Sequence, residues 1–383
     1  MAERIVAAVA DHIVSPLGFT SADNYAAVRE GRSELRRYEG KWGLPEPFVA
    51  ALMDRAAVLE ACEHEGIRGL FTYFEKMAIL SIAKALQACD VDITSGRTLL
   101  ILSTTKGNVD LLRENAEGVP PEREKLGEAA KAIAAYFGNP NQPVVVSNAC
   151  ISGATAQIEA ARLIAMGCYD SVVVCGVDVQ SPFIVSGFQS LKALSAQPCR
   201  PFDEDRTGIN LGDAAATIIY KGVKAEDLSV GTWYYAKGAM RNDAFHISAP
   251  SYEGEGAYRA LQAILQDEDR EEIAFVNAHG TGTLFNDEME SVAIDRAGLA
   301  HLPVNSLKGY IGHTMGAAGI FETILSMRAV DDGIVLGTRG YEHSGVSREL
   351  NIRPDHSATG RKAFVKLLSG FGGCNAAILF KKK

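Results

Sequence analysis

The chain lacks several things, and each absence removes a class of function. No two of its seven cysteines (Cys62, Cys89, Cys150, Cys168, Cys175, Cys199 and Cys374) stand as Cys-x-x-Cys, and their number is odd. That usage fits a reducing compartment, with no disulfide frame and no thiolate metal site. The eight histidines form no His-Glu-x-x-His pair, so no metal is expected. The phosphate loop Gly-x-x-x-x-Gly-Lys-Ser/Thr is missing. The GFGG at 370–373 passes from strand to strand rather than into a helix, so it is no dinucleotide fingerprint. Positive charge is not in excess: 38 Lys and Arg face 47 Asp and Glu, a formal net charge of −9. Nucleic acid is therefore not an expected partner. No apolar run approaches membrane-spanning length, and MAERIVAAVADHIVSPLG, with Glu3, Asp11 and His12, makes a poor signal peptide. A cytoplasmic protein with no membrane contact is expected.

What is present is ordinary in bulk and patterned in detail. The 383 residues are 47% apolar and 22% charged, with no composition break that would mark separate domains. Near-continuous apolar runs at Thr98–Ser103, Ser171–Val177 and Ile273–Asn277 read as buried strands, and Phe71–Cys89 as an amphipathic helix. Thr20–Glu30, Pro121–Phe137, Ala257–Gln266, Glu288–Ala297 and Gly316–Val330 read as helices, as does a passage from Phe48 to Glu63. Strands are expected at Arg4–Val9, Val144–Ser147, Ala214–Tyr220, Ser229–Ala236, Pro303–Asn305, Lys362–Leu368 and Ala376–Phe380. The grammar repeats: the strand–loop–helix block around Cys150 matches that around His313, and TLLILS matches IAFVNA. Two similar α/β halves, 1–223 and 224–383, imply parallel sheets covered by helices on both faces.

The chemistry-bearing residues sit where strands end. In VVVSNACISG (144–153) a strand hands over to a helix at Cys150. The helix N-terminus favours an anion there, which predicts a depressed thiol pKa. A buried structural cysteine is the plain alternative. The stretch IAFVNAHGTGT (273–283) runs a strand into His279, followed by glycines and by Thr281 and Thr283. NSLKGYIGHTMGAAG (305–319) places Lys308 five positions before His313 in a turn that opens a helix. LSGFGGCN (368–375) is a glycine-flanked turn between strands. Each puts a reactive or backbone-donor group at a strand end, where ligands of α/β sheets bind.

Together these stretches resemble the β-ketoacyl–acyl-carrier-protein synthases of the elongating Cys-His-His type, decarboxylating condensing enzymes of the thiolase superfamily. NACISG, HGTGT, NSLKGYIGHTMGAAG and GFGGCN stand in that family's order, and PFDEDRTGINLGDAAA (201–216) and DAFHISAPS (243–251) add two matches. The resemblance implies a thiolase-like α/β fold: duplicated halves with two central mixed sheets in an α-β-α-β-α layering. It implies that Cys150 carries the acyl group and that His279 and His313 stabilise the malonyl-derived enolate. The backbone N–H groups of Cys150 and Phe371 would hold the oxyanion, with Phe371 also gating the acyl pocket. Lys308, paired with Glu322, would order the site, the alternative being a surface ion pair. Thr281 and Thr283 would bind the phosphopantetheine arm, with Ser248 along the same tunnel; alternatively the threonines only cap the next turn. Lys192 and Arg200 would dock acyl carrier protein. No cofactor is implied beyond the arm that the carrier brings.

Two departures bear on substrate. SAQPC (195–199) abbreviates a loop near the carrier entrance. The loop after the first buried strand reads STTKGN (103–108), so Thr105 or Lys106 falls where the family offers an apolar residue to the acyl pocket. Either Lys106 points to the surface, or the pocket takes something other than a plain saturated chain, as in polyene or aryl-primed assembly. Cys374 is expected to be a small packing residue. A homodimer is expected. A heterodimer, with this chain as catalytic or chain-length-determining half, and a thiolase-like condensation of coenzyme A esters remain as alternatives.

Overall fold

The computed structural model describes residues 4–113, 118–243 and 245–383. Glu3 of the N-terminal stretch, residues 114–117 and Ala244 of the 243–251 stretch lie outside it. The first half runs β1 (Arg4–Val14), α1 (Ser21–Arg29), β2 (Arg36–Tyr38), β3 (Phe48–Ala51), α2 (Arg55–His64), α3 (Tyr73–Gln87), β4 (Thr98–Ser103) and α4 (Leu126–Tyr136). It continues with β5 (Val144–Val146), α5 (Ser152–Ala165), β6 (Ser171–Asp178), α6 (Pro182–Ser190), β7 (Leu211–Gly212) and β8 (Ala214–Lys224). Then come β9 (Trp233–Asn242), α7 (Glu255–Leu265), β10 (Ile273–Asn277), α8 (Leu284–Arg296), β11 (Pro303–Asn305), α9 (Lys308–Ile311) and α10 (Ala318–Asp331). The chain ends with β12 (Ile334–Val335), β13 (Asn351–Ile352), β14 (Ser357–Ala358), β15 (Ala363–Gly370) and β16 (Cys374–Lys382).

Eleven strands form one sheet in the order β13-β11-β10-β15-β16-β9-β1-β8-β6-β4-β5. Counted along the chain, β5-β4-β6-β8-β1 and β11-β10-β15-β16-β9 both run third, second, fourth, fifth, first. The duplication read from the sequence is thus a duplication of topology. In each set of five, three strands are parallel and two are added antiparallel: β6–β8 and β8–β1 in one, β15–β16 and β16–β9 in the other, while β13 extends the second set as a further parallel strand beside β11. The apolar pattern predicts the parallel members; the antiparallel ones are equally apolar because helices cover them too. The two sheets join where β1 meets β9, through Val6–Tyr235 and Ala7–Tyr234 alone.

Three apolar cores give the layering. One packs α5 and α10 between the inner faces of both sheets, with Ile158, Ile164, Ile320 and Ile324 against Ile218 and Tyr220 on one side and Phe275, Phe364 and Ile378 on the other. A second packs α3 and α4 on the outer face of the first sheet, and a third packs α7 and α8 on the outer face of the second. The succession is helix, sheet, helix, sheet, helix.

Local signals set many boundaries. Thr20 caps α1, accepting from the Asp23 N–H at 3.0 Å, and Thr72 with Glu75 closes a capping box at α3. The helix expected from Phe48 begins only at Arg55: Phe48–Ala51 is a buried strand flanked by β2 and β7. The apolar helix α6 was not foreseen, and β9 starts at Trp233 rather than Ser229.

Candidate active site

Cys150 lies in the turn between β5 and α5. Ser152 closes that turn: its hydroxyl accepts the Asn148 N–H at 2.8 Å and donates to the Ala149 carbonyl at 2.6 Å. The tight handover forces Ala149 to φ +45°, a left-handed conformation that costs a non-glycine residue about 1 kcal/mol. Met315, two residues after His313, is held at φ +52°. Both strained positions flank a reactive side chain.

The opposite half delivers the imidazoles. His279 follows β10, and its backbone N–H and that of Gly280 each donate to a Glu290 oxygen at 2.7 Å. His313 is held by a different device. Its N–H donates to the Asn210 carbonyl at 2.7 Å and its carbonyl accepts the Gly212 N–H at 3.0 Å. The PFDEDRTGINLGD stretch, matched in sequence without a role, is therefore the seat of His313. Asp178 fastens the same loop: it accepts the Gly316 N–H at 2.7 Å while also binding Thr104, Thr105 and the Lys106 N–H.

The Cys150 sulfur and one nitrogen from each of His279 and His313 lie within 4.8 Å of one another. The two rings meet edge to face, 5.0 Å between centroids. Nδ1 of His313 accepts the Met315 N–H at 3.3 Å, which leaves the proton on Nε2, a buried atom with no partner. Nδ1 of His279 is likewise buried and unpartnered. Burial, then Lys308, and for His279 the neighbouring His313, hold both imidazoles well below their usual range, with Lys366 adding to the effect. They are neutral at pH 7.

The thiol departs from expectation. Burial, and then the nearby Cys374 sulfur, push Cys150 up to about 12, against the pull of Lys308 and of the Phe371 N–H, which donates toward its sulfur. The depressed pKa predicted from the helix N-terminus is not found, because Cys150 is only 9% exposed and burial disfavours the thiolate. The resting residue is a thiol. Cys374 donates to the Phe371 carbonyl at 3.4 Å within the glycine turn.

A cavity of about 400 Å³ opens from Cys150 to the surface, lined by His279, Thr281, Thr283, Ser248, Phe371 and Lys192 among others. The Thr281 and Thr283 hydroxyls are 2.8 Å apart. Thr283 stands at the N-cap of α8 without a side-chain capping bond. Phe371 packs its ring 5.8 Å from Phe188 of α6. Lys308 is fully buried, 2.8 Å from Glu322, so this is no surface pair.

Three expected site residues lie elsewhere. Thr105 spends its hydroxyl and N–H on the buried Asp178 carboxylate. Lys106 lines a separate surface depression with Val109, Leu112 and Phe183. Arg200 is paired with Asp203 at 2.9 Å and Glu342 at 3.4 Å, which leaves it no free charge for docking. Lys192 stays exposed at the cavity rim. Sequence reasoning missed Glu290, Asp178, Lys366 and Asp287, whose carboxylate accepts the Thr281 N–H at 2.9 Å and the Gly282 N–H at 3.0 Å. Asp287 and Glu290 are three apart on α8 just beyond HGTGT, a placement that could have flagged them. Cys150, His279 and His313 are also the one set among the described residues that could hold a metal ion; no spacing in the chain marks it, since they come from three separate turns.

Residues 75–225 match the family model of the beta-ketoacyl synthase N-terminal domain, and residues 235–342 that of its C-terminal domain. The chain belongs to the beta-ketoacyl synthase family. Among curated relatives of this synthase, the 3-oxoacyl-[acyl-carrier-protein] synthase 2 of Rhizobium meliloti (strain 1021) is 34% identical over 284 residues, 69% of this chain and 66% of that relative. The protein of the same name from Vibrio harveyi is 27% identical over 423 residues, covering 100% of this chain and 99% of its own. Among solved structures, the ketosynthase ApeO in complex with its chain length factor ApeC, from Xenorhabdus doucetiae, superposes with a TM-score of 0.84 at 23% identity, over 99% of this chain and 98% of the other. That likeness carries the shared fold.

Proposed function

We propose that this synthase catalyses a decarboxylating Claisen condensation between an acyl thioester and malonyl–acyl-carrier protein. The observation that carries the reading is one thiol and two neutral imidazoles meeting within 4.8 Å, the thiol and the His279 ring lining a cavity that bears paired threonine hydroxyls. The arm of the carrier enters along Thr281, Thr283 and Ser248, and no cofactor other than that arm takes part. Cys150 attacks the thioester carbonyl, its proton passing by way of a neighbouring neutral imidazole to the departing arm thiol. The Cys150 and Phe371 N–H groups face the oxyanion that forms. The product is acyl-Cys150 and the free arm thiol.

Malonyl–carrier then occupies the same cavity. Loss of carbon dioxide leaves an enolate whose oxygen accepts from His313 Nε2–H and from His279. Neutral rings suit this task, because each offers an N–H without adding a mobile proton. The enolate carbon attacks the acyl-Cys150 carbonyl; the C–S bond breaks, and the thiolate released takes up one proton. Lys308 and Glu322, buried as a pair, order the imidazole loops and exchange no proton with substrate.

The carrier docks on Lys192 and on the exposed apolar rim formed by Leu191, Leu284 and Phe285. With Lys192 unpaired among the described residues and Arg200 already in ion pairs, docking is expected to weaken only modestly with salt. We place the protein in the cytoplasm, a reading supported by its seven free cysteines. Among the described residues no helix is long and apolar enough to cross a membrane. A dimer through the β5 edge is proposed, either of two identical chains or with a second ketosynthase-like subunit. The intact Cys-His-His set favours this chain as the catalytic half in the second case.

Carbon dioxide release is the test. With acyl- and malonyl–carrier protein together, one carbon dioxide per β-ketoacyl product is expected, unaffected by a metal chelator. Condensation without carbon dioxide release would point instead to thiolase chemistry, and loss of activity on chelation to a metal held by the three residues.

A further inference from the structure

Gln180 takes no part in the steps above. It stands two residues beyond the end of β6, just before α6, and is only 1% exposed. Its backbone N–H donates to Asp213 at 2.6 Å. Its side-chain amide donates to the Gly212 carbonyl at 2.8 Å and reaches the Met315 sulfur at 3.8 Å. The Gly212 carbonyl can only accept, so it fixes which end of the amide is nitrogen. The other end, Oε1, is buried and has no partner among the described residues. A buried acceptor left unmet is rare and points to a donor that arrives from outside the chain.

The surroundings show where such a donor can enter. Met315 belongs to an apolar cluster with Val109, Ile184, Val185 and Phe188, and Phe371 packs against it. Phe188 and Phe371 also line the cavity at Cys150, so the cluster lies directly behind that wall. Phe371 precedes Gly372 and Gly373, at φ +85° and +75°, a turn without side chains on which the ring can swing. Met315 is unbranched and adapts its shape readily. With Phe371 turned aside, an acyl chain on Cys150 reaches apolar walls interrupted by the Gln180 amide.

We propose that Gln180 is a specificity-determining residue of the acyl site: its Oε1 accepts a hydrogen bond from a hydroxyl or amide N–H carried on the chain that Cys150 holds. The proposal deepens the condensing reading above and rests on it. The amide nitrogen is already engaged, so the chain must bring a donor; a carbonyl brings only a second acceptor and does not serve. A plain saturated chain would seal Oε1 from water and leave it unmet. In an otherwise apolar pocket one such contact sets both the placement and the choice of chain.

Competition for acylation tests this on the whole protein. Carrier thioesters of equal chain length are offered as mixtures: a saturated chain against one bearing a hydroxyl or an amide N–H, with the donor moved along the chain atom by atom. The adduct on Cys150 is read by intact-protein mass. At one donor position the donor-bearing chain is expected to load at least about tenfold over its saturated match. Gln180→Met, or Gln180→Leu should the first fail to fold, is expected to bring that ratio to about one. A merely structural role would slow both chains alike and leave the ratio where it was. Loading of Cys150 with no preference at any position, or a preference that survives in the variant, overturns the proposal: water then meets Oε1, and the condensing reading stands. Failure of every carrier thioester to acylate Cys150 overturns both.

Discussion

At the scale of single residues, burial decides the chemistry. The helix behind Cys150 would favour a thiolate, yet the residue is largely buried and the thiol is pushed up to about 12. Its folded value lies above that of a free cysteine, so deprotonation is delayed as pH rises. Alkylation of Cys150, followed by peptide mass, should therefore climb about tenfold per pH unit through pH 9 without levelling; a plateau near pH 7 would show a thiolate already formed. Cys150→Ala should lose acylation and at least about 10³-fold in condensation, read as product formed per enzyme. His313→Ala removes the Nε2 donor and should cost roughly 10²–10³ in kcat while Cys150 still accepts an acyl group. The three reactive residues were legible in the sequence because each interrupts an apolar strand with glycine and small polar residues. Lys366 was not, since AFVKLLSG reads as a strand in which a lysine is taken to face water. Glu290 and Asp287 were hidden similarly, as acidic residues on a helix that usually mean a solvated face.

At the scale of elements, the site depends on how closely two helices approach. A Cβ on Gly153 of α5 would meet the Gly316 carbonyl at 2.9 Å, and one on Gly319 of α10 would meet the Ala154 nitrogen at 2.5 Å. These helices carry the Cys150 and His313 turns at their N-termini, so their spacing sets the sulfur–imidazole distance. Gly319→Ala should destabilise by on the order of 1–3 kcal/mol and slow condensation more than its stability loss alone explains. Denaturant unfolding and kcat on the same preparation check both parts. Strands β4 and β10 were legible to the residue, because a run buried on both faces is apolar throughout. Phe48–Ala51 was read as helix, since four apolar residues before a true helix carry no period of their own. Helix α6, which brings Phe188 to Phe371, went unread for the same reason: PFIVSGF has no polar face to mark its turn.

At the scale of the molecule, two sheets of equal topology bury α5 and α10 between them, and each half supplies part of one site. The sheet ends at β5, whose three valines are half-buried and pair only with β4 among the described residues. An open β-branched edge invites a second chain. Val145→Lys should shift the protein toward monomer in sedimentation velocity; an unchanged sedimentation coefficient would place the interface elsewhere.

The account turns on a covalent acyl-Cys150 that malonyl–carrier discharges, and intact-protein mass spectrometry reads this directly. After mixing with an acyl–carrier thioester, the enzyme mass should rise by one acyl group, mapped to the Cys150 peptide, and should return to its starting value when malonyl–carrier is added. An enzyme that forms β-ketoacyl product with no adduct on Cys150, or an adduct that malonyl–carrier leaves in place, would contradict it.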